Sequence, residues 1–219
     1  MQQAWRAALL RFDAHGQAVH DSDGLLVTQR DAAGVRRVVA AGSHATLAPQ
    51  FAQVPVTHLP GRLIAPGFVD MHVHYPQLDV IGSPADGLLP WLEHYTFPQE
   101  ARFADPAHAA EVARFFCDEL ARHGVTTALT FCTSHPASVD ALFTEAQTRG
   151  LRLIAGKCLQ DRHSPDGVRD ETEQSLIDTE ALIKKWHGVG RLGYAITPRF
   201  APTSTEAQLR GAGELAAQY

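Results

Sequence analysis

The feature that most constrains the fold is a regular alternation of apolar strands and helical segments that begins at Arg62. Four strand-like segments occur in order: "RLIAPGFVDMHV", "VTTALTFC", "LRLIAGKCL" and "RLGYAIT". Each is followed by a segment with helical periodicity, the first after an irregular stretch. Strands that are apolar along most of their length and separated by helices are typical of a parallel sheet. We therefore predict an α/β fold with four successive strand–helix units.

Helix-capping residues support this alternation. Asp105 and Pro106 are expected to start the first long helix, with an apolar face made of Val112, Phe115, Phe116 and Leu120. Glycines at 124 and 150 are expected to end the first and second helices. Asp170 with Glu173 has the spacing of a capping box before the third helix, and Thr203 with Glu206 opens the fourth.

The first 61 residues have a different pattern, because they consist of short strands without helical periodicity. The segments "LLVTQR" and "VRRVVAAG" are joined by the turn Asp31–Gly34 and predict a hairpin. We expect residues 1–61 to form one part of a small β domain and residues 62–219 to form the α/β part. Four strand–helix units are half of a (β/α)₈ barrel, which takes about 250 residues in full. The chain is thus expected to be truncated or part of a longer protein; the alternative is a complete open sheet of four or five strands.

Composition excludes several classes of function. With 45% apolar residues, 20% charged residues and a formal net charge of −5, the chain has no basic surface for nucleic acid or anionic lipid. No apolar run approaches the roughly 18 residues that span a bilayer, and "MQQAWRAALL" lacks the apolar core of a signal peptide, so the expected location is the cytoplasm. Cys117, Cys132 and Cys158 are too few and too far apart for a cysteine zinc site.

Two histidines at the end of the first α/β strand are the main candidate site. His72 and His74 are two residues apart, so in a strand both side chains point to the same face. Two imidazole nitrogens placed in this way can bind one ion, and zinc suits them best. Asp70 shares their parity and either orients an imidazole or acts as a turn residue.

The residues around this pair carry a family resemblance. "APGFVDMHVHYPQ" resembles the opening signature of the amidohydrolase superfamily, whose members are metal-dependent hydrolases on a (β/α)₈ barrel with a small β-sandwich. Within that superfamily, three longer stretches resemble the guanine deaminase family. They are "HVHYPQLDVIGSPADGLLPWLEHYTFPQE", "GKCLQDRHSPDGVRDETEQSL" and "YAITPRFAPTSTEAQL". Residues 1–61 would then be the N-terminal part of the sandwich, and residues 62–219 the first four units of the barrel.

The resemblance implies that His72 and His74 bind zinc and that Gln77, Arg199 and Phe200 contact a purine. An arginine can donate to the O6 and N7 edge of guanine, and a phenylalanine offers a stacking surface. A glutamine amide both donates and accepts. For "PRF" alone, the alternative is a salt-bridging arginine beside a packing aromatic residue.

The activity that the resemblance implies is the hydrolysis of guanine to xanthine and ammonia, in a homodimer with one zinc ion per subunit. Two-metal members of the superfamily carry a modified lysine at the end of the fourth strand. The segment "GYAITPRF" contains no lysine, and Lys157 lies in the third strand instead. This absence favours a single metal ion.

The catalytic groups implied by the resemblance are not found in residues 1–219. The family places its acid/base glutamate after the fifth strand and its other zinc ligands on the fifth, sixth and eighth strands, so they are expected beyond Tyr219. We therefore expect the 219 residues alone to be inactive. Two alternatives stay open: a deaminase or hydrolase for another heterocycle, such as a cytosine- or triazine-type ring, and a non-catalytic metal-binding scaffold.

Four other polar residues have no assigned chemistry. Asp161 and Asp166 are expected to belong to a structural loop above the third strand. Glu93 and His94, in "PWLEHY", are expected on a solvated helical turn, with a lid or a subunit contact as the alternative.

Overall fold

A computed structural model describes residues 1–32 and 34–219. The chain divides into two compact units, Met1–Pro66 and Gly67–Tyr219. The assignment of residues 1–61 to part of a β-sandwich and of residues 62–219 to four barrel units stays a prediction.

The first unit is a four-stranded sheet. Its strands are β1 (Gln2–Phe12), β2 (Ala18–Arg30), β3 (Arg36–Ser43) and β4 (Val56–Ile64), in the order β3-β2-β1-β4. A short helix, α1 (His44–Leu47), and the 3₁₀ turn Ala48–Phe51 connect β3 to β4. The strands β2 and β3 pair antiparallel, as the hairpin prediction requires. Ala33, inside the predicted turn, lies outside the described residues.

The second unit alternates strands and helices. Its strands are β5 (Phe68–His74), β6 (Val125–Phe131), β7 (Arg152–Gly156), β8 (Cys158–Leu159), β9 (Gly193–Tyr194) and β10 (Thr197–Pro198). Its helices are α2 (Leu88–Trp91), α3 (Phe97–Ala101), α4 (Pro106–Arg122), α5 (Pro136–Arg149), α6 (Thr172–Trp186) and α7 (Glu206–Gln218). The predicted alternation is confirmed. No helix in the described part of the chain is long and apolar enough to cross a membrane.

The strands of this unit pair in parallel and in chain order. One sheet runs β5-β6-β7-β9, and β8 pairs with β10 in a second, two-stranded sheet. Consecutive parallel order is the order of strands in a (β/α)₈ barrel, whereas a doubly wound open sheet reverses its order at a switch point. The fold is therefore the first half of a barrel, as predicted.

The long helices pack on one face of the parallel sheet. Val73, Ala128 and Ala155 point to this face and belong to one apolar cluster with residues of α4, α5 and α6. His72 and His74, whose parity differs from that of Val73, lie on the opposite face. The face opposite the helices is the interior face of a barrel, and it is therefore the face on which a site would form.

The predicted N-terminal caps are correct in one case and wrong in two, whereas Gly150 ends α5 as predicted. Asp105 caps α4 and accepts a hydrogen bond from the backbone of Ala107, as expected. Asp170 does not cap α6, because its carboxylate pairs with the buried Lys157 Nζ at 2.6 Å. The cap of α7 is Thr205, two residues after the predicted Thr203. The apolar face predicted for α4 is wrong at one residue, because Phe115 is 53% exposed.

Gly156, at the end of β7, gives a test of this strand arrangement. A Cβ atom at Gly156 would overlap the carbonyl oxygen of Ala195 on the neighbouring segment. We expect Gly156→Ala to lower the free energy of unfolding by about 1–3 kcal/mol, because the added methyl group meets a backbone oxygen rather than the end of a flexible side chain. Urea denaturation measures this change.

Gly213→Ala is the matched control for that experiment. Gly213 lies within α7, and a Cβ atom there meets nothing within 4 Å. This variant is expected to raise the free energy of unfolding by up to about 1 kcal/mol through helix propensity. Equal effects of the two substitutions would contradict the close approach at Gly156.

Candidate active site

One cavity of about 620 Å³ brings together the five residues that the resemblance assigns to zinc and purine binding. It lies where β5 and β6 end and where the chain leaves β10. Its predicted wall residues are His72, His74, Gln77, Arg199 and Phe200. Its remaining wall residues, which sequence reasoning did not single out, are Val73, Leu78, Ile81, Leu88, Trp91, Leu92 and Phe131. The cavity is thus mainly apolar, with a few convergent polar groups, as is typical of a small-molecule site.

The two histidines face each other across a short distance. The ring centroids of His72 and His74 are 5.1 Å apart, and the planes meet at 75°. Phe131, at the end of the neighbouring strand, stacks on His74 with a centroid distance of 4.7 Å. Burial, together with the nearby Arg199 and His72, lowers the pKa of His74 to about 3. His74 is therefore a neutral imidazole at physiological pH, which is the form that binds a metal ion.

This pair fits a metal ion. The Nδ1 atom of His74 is buried and has no hydrogen-bond partner, so it has a lone pair or a proton that the described residues leave unsatisfied. Among those residues, no group of three or more histidine, cysteine, aspartate or glutamate side chains is arranged to hold a metal. The described chain therefore offers two ligands of the usual three of a catalytic zinc site.

Asp70 does not orient an imidazole. Its carboxylate accepts a hydrogen bond from the backbone N–H of His72, two residues on, at 3.0 Å. The pairing of β5 with β6 shifts register between Asp70 and Val73, so the simple parity argument from the sequence fails at this point. The turn-residue alternative is the one that agrees with the contact.

Gln77 is held by a 3₁₀ helix that follows β5 directly. This segment, Tyr75–Val80, has Pro76 in its first turn. The phenol of Tyr75 is fully buried and donates to the backbone carbonyl of Ser138 in α5 at 2.7 Å. The Gln77 side chain therefore starts from an anchored segment of backbone.

Arg199 lies just after β10, where its backbone N–H donates to the carbonyl of Leu159 at 2.9 Å. Its side chain is only 5% exposed and pairs with the fully buried Glu100 at 2.5 Å. Burial lowers the pKa of Arg199, but the Glu100 carboxylate more than offsets this and leaves it raised. The guanidinium also lies 5.1 Å from the ring centroid of Phe97. The salt-bridge alternative for this arginine is thus correct, and it coexists with a place in the cavity wall.

Glu100 is the most important residue that sequence reasoning missed. It lies on α3 in the last position of the quoted segment "TFPQE", where a glutamate reads as an ordinary helix residue. No local pattern distinguishes a buried glutamate from a solvated one, because its partners are Gln77 and the distant Arg199. The sequence also does not identify Trp91 and Phe131 as wall residues, because an apolar residue in a strand or helix is typical of a hydrophobic core.

The remaining polar groups have structural contacts, as expected. Asp161 accepts hydrogen bonds from the hydroxyls of Thr172 and Thr205, next to the starts of α6 and α7. Asp166 pairs with Arg169 on the surface. Glu93 and His94 are both exposed, in agreement with a solvated helical turn.

Comparison with known proteins shows the family to which the chain belongs. The sequence profile of the amidohydrolase family matches residues 63–219. The chain belongs to this family. Guanine deaminase of Escherichia coli is 50% identical over 159 residues, which is 73% of this chain and 36% of that protein. Guanine deaminase of Dictyostelium discoideum is 37% identical over 166 residues, which is 74% of this chain and 37% of that one.

Solved structures of amidohydrolases superpose closely on the chain. The Escherichia coli guanine deaminase structure has a TM-score of 0.91 and 40% identity over 99% of this chain, and 51% of its own chain is covered. The structure of guanine deaminase from Bradyrhizobium japonicum has a TM-score of 0.93 and 33% identity, with 100% of this chain and 48% of its own covered. The chain therefore spans about half the length of these solved relatives.

The anchoring of the segment that carries Gln77 can be tested at Tyr75. We expect Tyr75→Phe to lower the free energy of unfolding by about 0.5–1.5 kcal/mol, because one buried hydrogen bond is lost while the ring stays in place. Thermal or urea denaturation measures this. Tyr219→Phe is the control, since Tyr219 is 49% exposed and should contribute little. An unchanged stability of Tyr75→Phe would show that the phenol is not an anchor.

Proposed function

We propose that the whole protein to which these residues belong catalyses the hydrolytic deamination of guanine to xanthine and ammonia. The observation that carries this proposal is the single cavity in which a histidine pair faces an arginine, a glutamine and a phenylalanine. The similarity to guanine deaminases over most of the chain supports the choice of reaction. The oxygen of water adds to C2 of the base, and the bond from C2 to the exocyclic nitrogen breaks. That nitrogen takes up a proton and leaves as ammonia.

His72 and His74 are the residues of this chain that would hold a zinc ion. The neutral imidazole of His74, its short distance to the ring of His72 and its unsatisfied Nδ1 support this role. A bound zinc ion supplies an activated water at neutral pH. Phe131 packs against His74 and restricts its ring to one orientation. The acid/base group for the amino nitrogen is proposed to lie outside residues 1–219.

Gln77, Arg199 and Phe200 would bind the base. The guanidinium of Arg199 has donors for a carbonyl oxygen, and the amide of Gln77 has one donor and one acceptor side. Phe200 is 37% exposed and offers ring surface at the cavity mouth. The apolar wall, which includes Phe131 and the buried Leu92, would lower the polarity around the base and so strengthen these hydrogen bonds.

The assembly and the location of the protein are also proposals. We propose a homodimer, as the resemblance implies, and the cytoplasm, as composition implies. In the same way, we propose that residues 1–61 contribute to a small β-sandwich and that residues 62–219 supply four of eight barrel units.

The zinc role can be tested by metal content. We expect His72→Ala and His74→Ala each to reduce bound zinc by at least roughly tenfold, because each removes one of few protein ligands. Metal analysis after dialysis of the whole protein measures this. His94→Ala is the matched control, because His94 is exposed and outside the cavity wall. Full zinc content in both cavity variants would disprove the ligand assignment.

The substrate assignment can be tested with a panel of guanine, adenine, cytosine and a triazine, followed by ammonia release and ultraviolet spectra. Guanine is expected to be the preferred substrate. Arg199→Ala should reduce kcat/KM for guanine by about 100-fold or more, since a purine carbonyl loses its charged donor. Its zinc content should stay the same.

Arg210→Ala is the control for the arginine, because Arg210 forms a surface pair with Glu206 and is 69% exposed. If another ring of the panel were preferred, that heterocycle would be the substrate and the assignment of guanine would be wrong. Zinc binding without turnover of any ring would favour the non-catalytic scaffold.

A further inference from the structure

Glu100 connects two residues of the proposed base pocket. One carboxylate oxygen accepts from Nε2 of Gln77 at 3.1 Å, and the other accepts from Nη1 of Arg199 at 2.5 Å. The Glu100 side chain is 0% exposed and does not itself line the cavity. Its contacts therefore act on the pocket through Gln77 and Arg199.

The chemistry of a carboxylate determines how these two residues are oriented. Both carboxylate oxygens of Glu100 act as acceptors here, since a guanidinium can only donate and the Gln77 contact is made by the amide nitrogen. Gln77 must therefore turn its amide nitrogen toward Glu100, and its carbonyl oxygen has no hydrogen-bond partner among the described residues. Arg199 has five N–H donors in a fixed fork, of which the contact with Glu100 occupies one.

We propose that Glu100 is a positioning residue that sets the hydrogen-bond polarity of the pocket, and this proposal rests on the proposed function. Through Glu100, the pocket presents an acceptor at Gln77 and donors at Arg199. The complementary ligand edge is a ring N–H next to a carbonyl, which is a lactam. Guanine has this edge at N1 and O6. A purine with a bare ring nitrogen and no oxygen, such as 2-aminopurine, does not.

The substitution Glu100→Gln would exchange the acceptor that Gln77 presents to the pocket for a donor. The carbonyl of the introduced glutamine would have to face Arg199, which can only donate, and its amide nitrogen would then face Gln77. The Gln77 amide would turn over and present its nitrogen to the pocket. A donor at that place opposes the N1–H of guanine but suits the bare N1 of 2-aminopurine.

The experiment measures kcat and KM of the zinc-loaded whole protein and its Glu100→Gln variant on guanine and 2-aminopurine. Both substrates carry the same amino group at C2, so ammonia release reports the same reaction. We expect kcat/KM for guanine to fall roughly 10- to 100-fold, mainly through KM, and the value for 2-aminopurine to change less or rise. The ratio between the two substrates should therefore fall by about tenfold or more.

Asp170→Asn is the matched control, because it also converts a buried carboxylate beside a buried cation into an amide. Asp170 pairs with Lys157 outside the cavity wall, with side-chain exposures of 7% and 1%. This variant should lower the melting temperature and leave the guanine to 2-aminopurine ratio within about twofold of wild type.

The outcomes separate the two proposals. A wild-type protein that does not deaminate guanine overturns the proposed function and this inference with it. An active wild type whose Glu100→Gln variant loses activity equally on both substrates, or whose ratio shifts no more than that of Asp170→Asn, overturns the role of Glu100 alone. Glu100→Gln in an Arg199→Ala background checks the coupling, since its effect on the ratio should be smaller there.

Discussion

The parallel pairing of strands in chain order is the constraint on which the candidate site depends. It places His74 beside Phe131 at the ends of β5 and β6, and it places Pro198, just before Arg199, beside Leu159. Since parallel strands all end at the same edge, residues from opposite ends of the α/β unit meet in one cavity. The helices stabilise this edge from the other face, where they bury a continuous apolar cluster.

Behind the wall of that cavity, the buried carboxylate of Glu100 contacts two of the wall residues, Gln77 and Arg199. A charged arginine in an apolar wall is costly unless a carboxylate compensates it, and Glu100 provides that compensation without any exposure to solvent. The same carboxylate also holds Gln77. In the proposed function, one carboxylate therefore both compensates a buried charge and positions two residues that would bind the base. The proposed chemistry needs this arrangement, because a pocket that has ordered its donors and acceptors before binding loses less entropy when the base binds.

Much of the fold could be predicted because local signals determine it. Apolar strand runs, the Asp105 cap and the glycine after α5 all act over a few residues, and the structure agrees with them. The predictions failed where a distant partner competes with a local pattern. Asp170 has the spacing of a cap, but its carboxylate pairs instead with the buried Lys157 Nζ, thirteen residues away in the chain. Asp70 follows strand parity in the sequence, but a register shift turns it toward the backbone of His72.

The sequence by itself determined the α/β class, the order of the units and the shared parity of His72 and His74, because periodicity is a local property. The roles of Gln77, Arg199 and Phe200 are what the resemblance to guanine deaminases implies. Only the tertiary structure decided that these residues share one cavity, and that Glu100 connects Gln77 to Arg199 beneath its wall. The physical reason is that the burial of a charge depends on what packs around it, and those neighbours are far away in the chain.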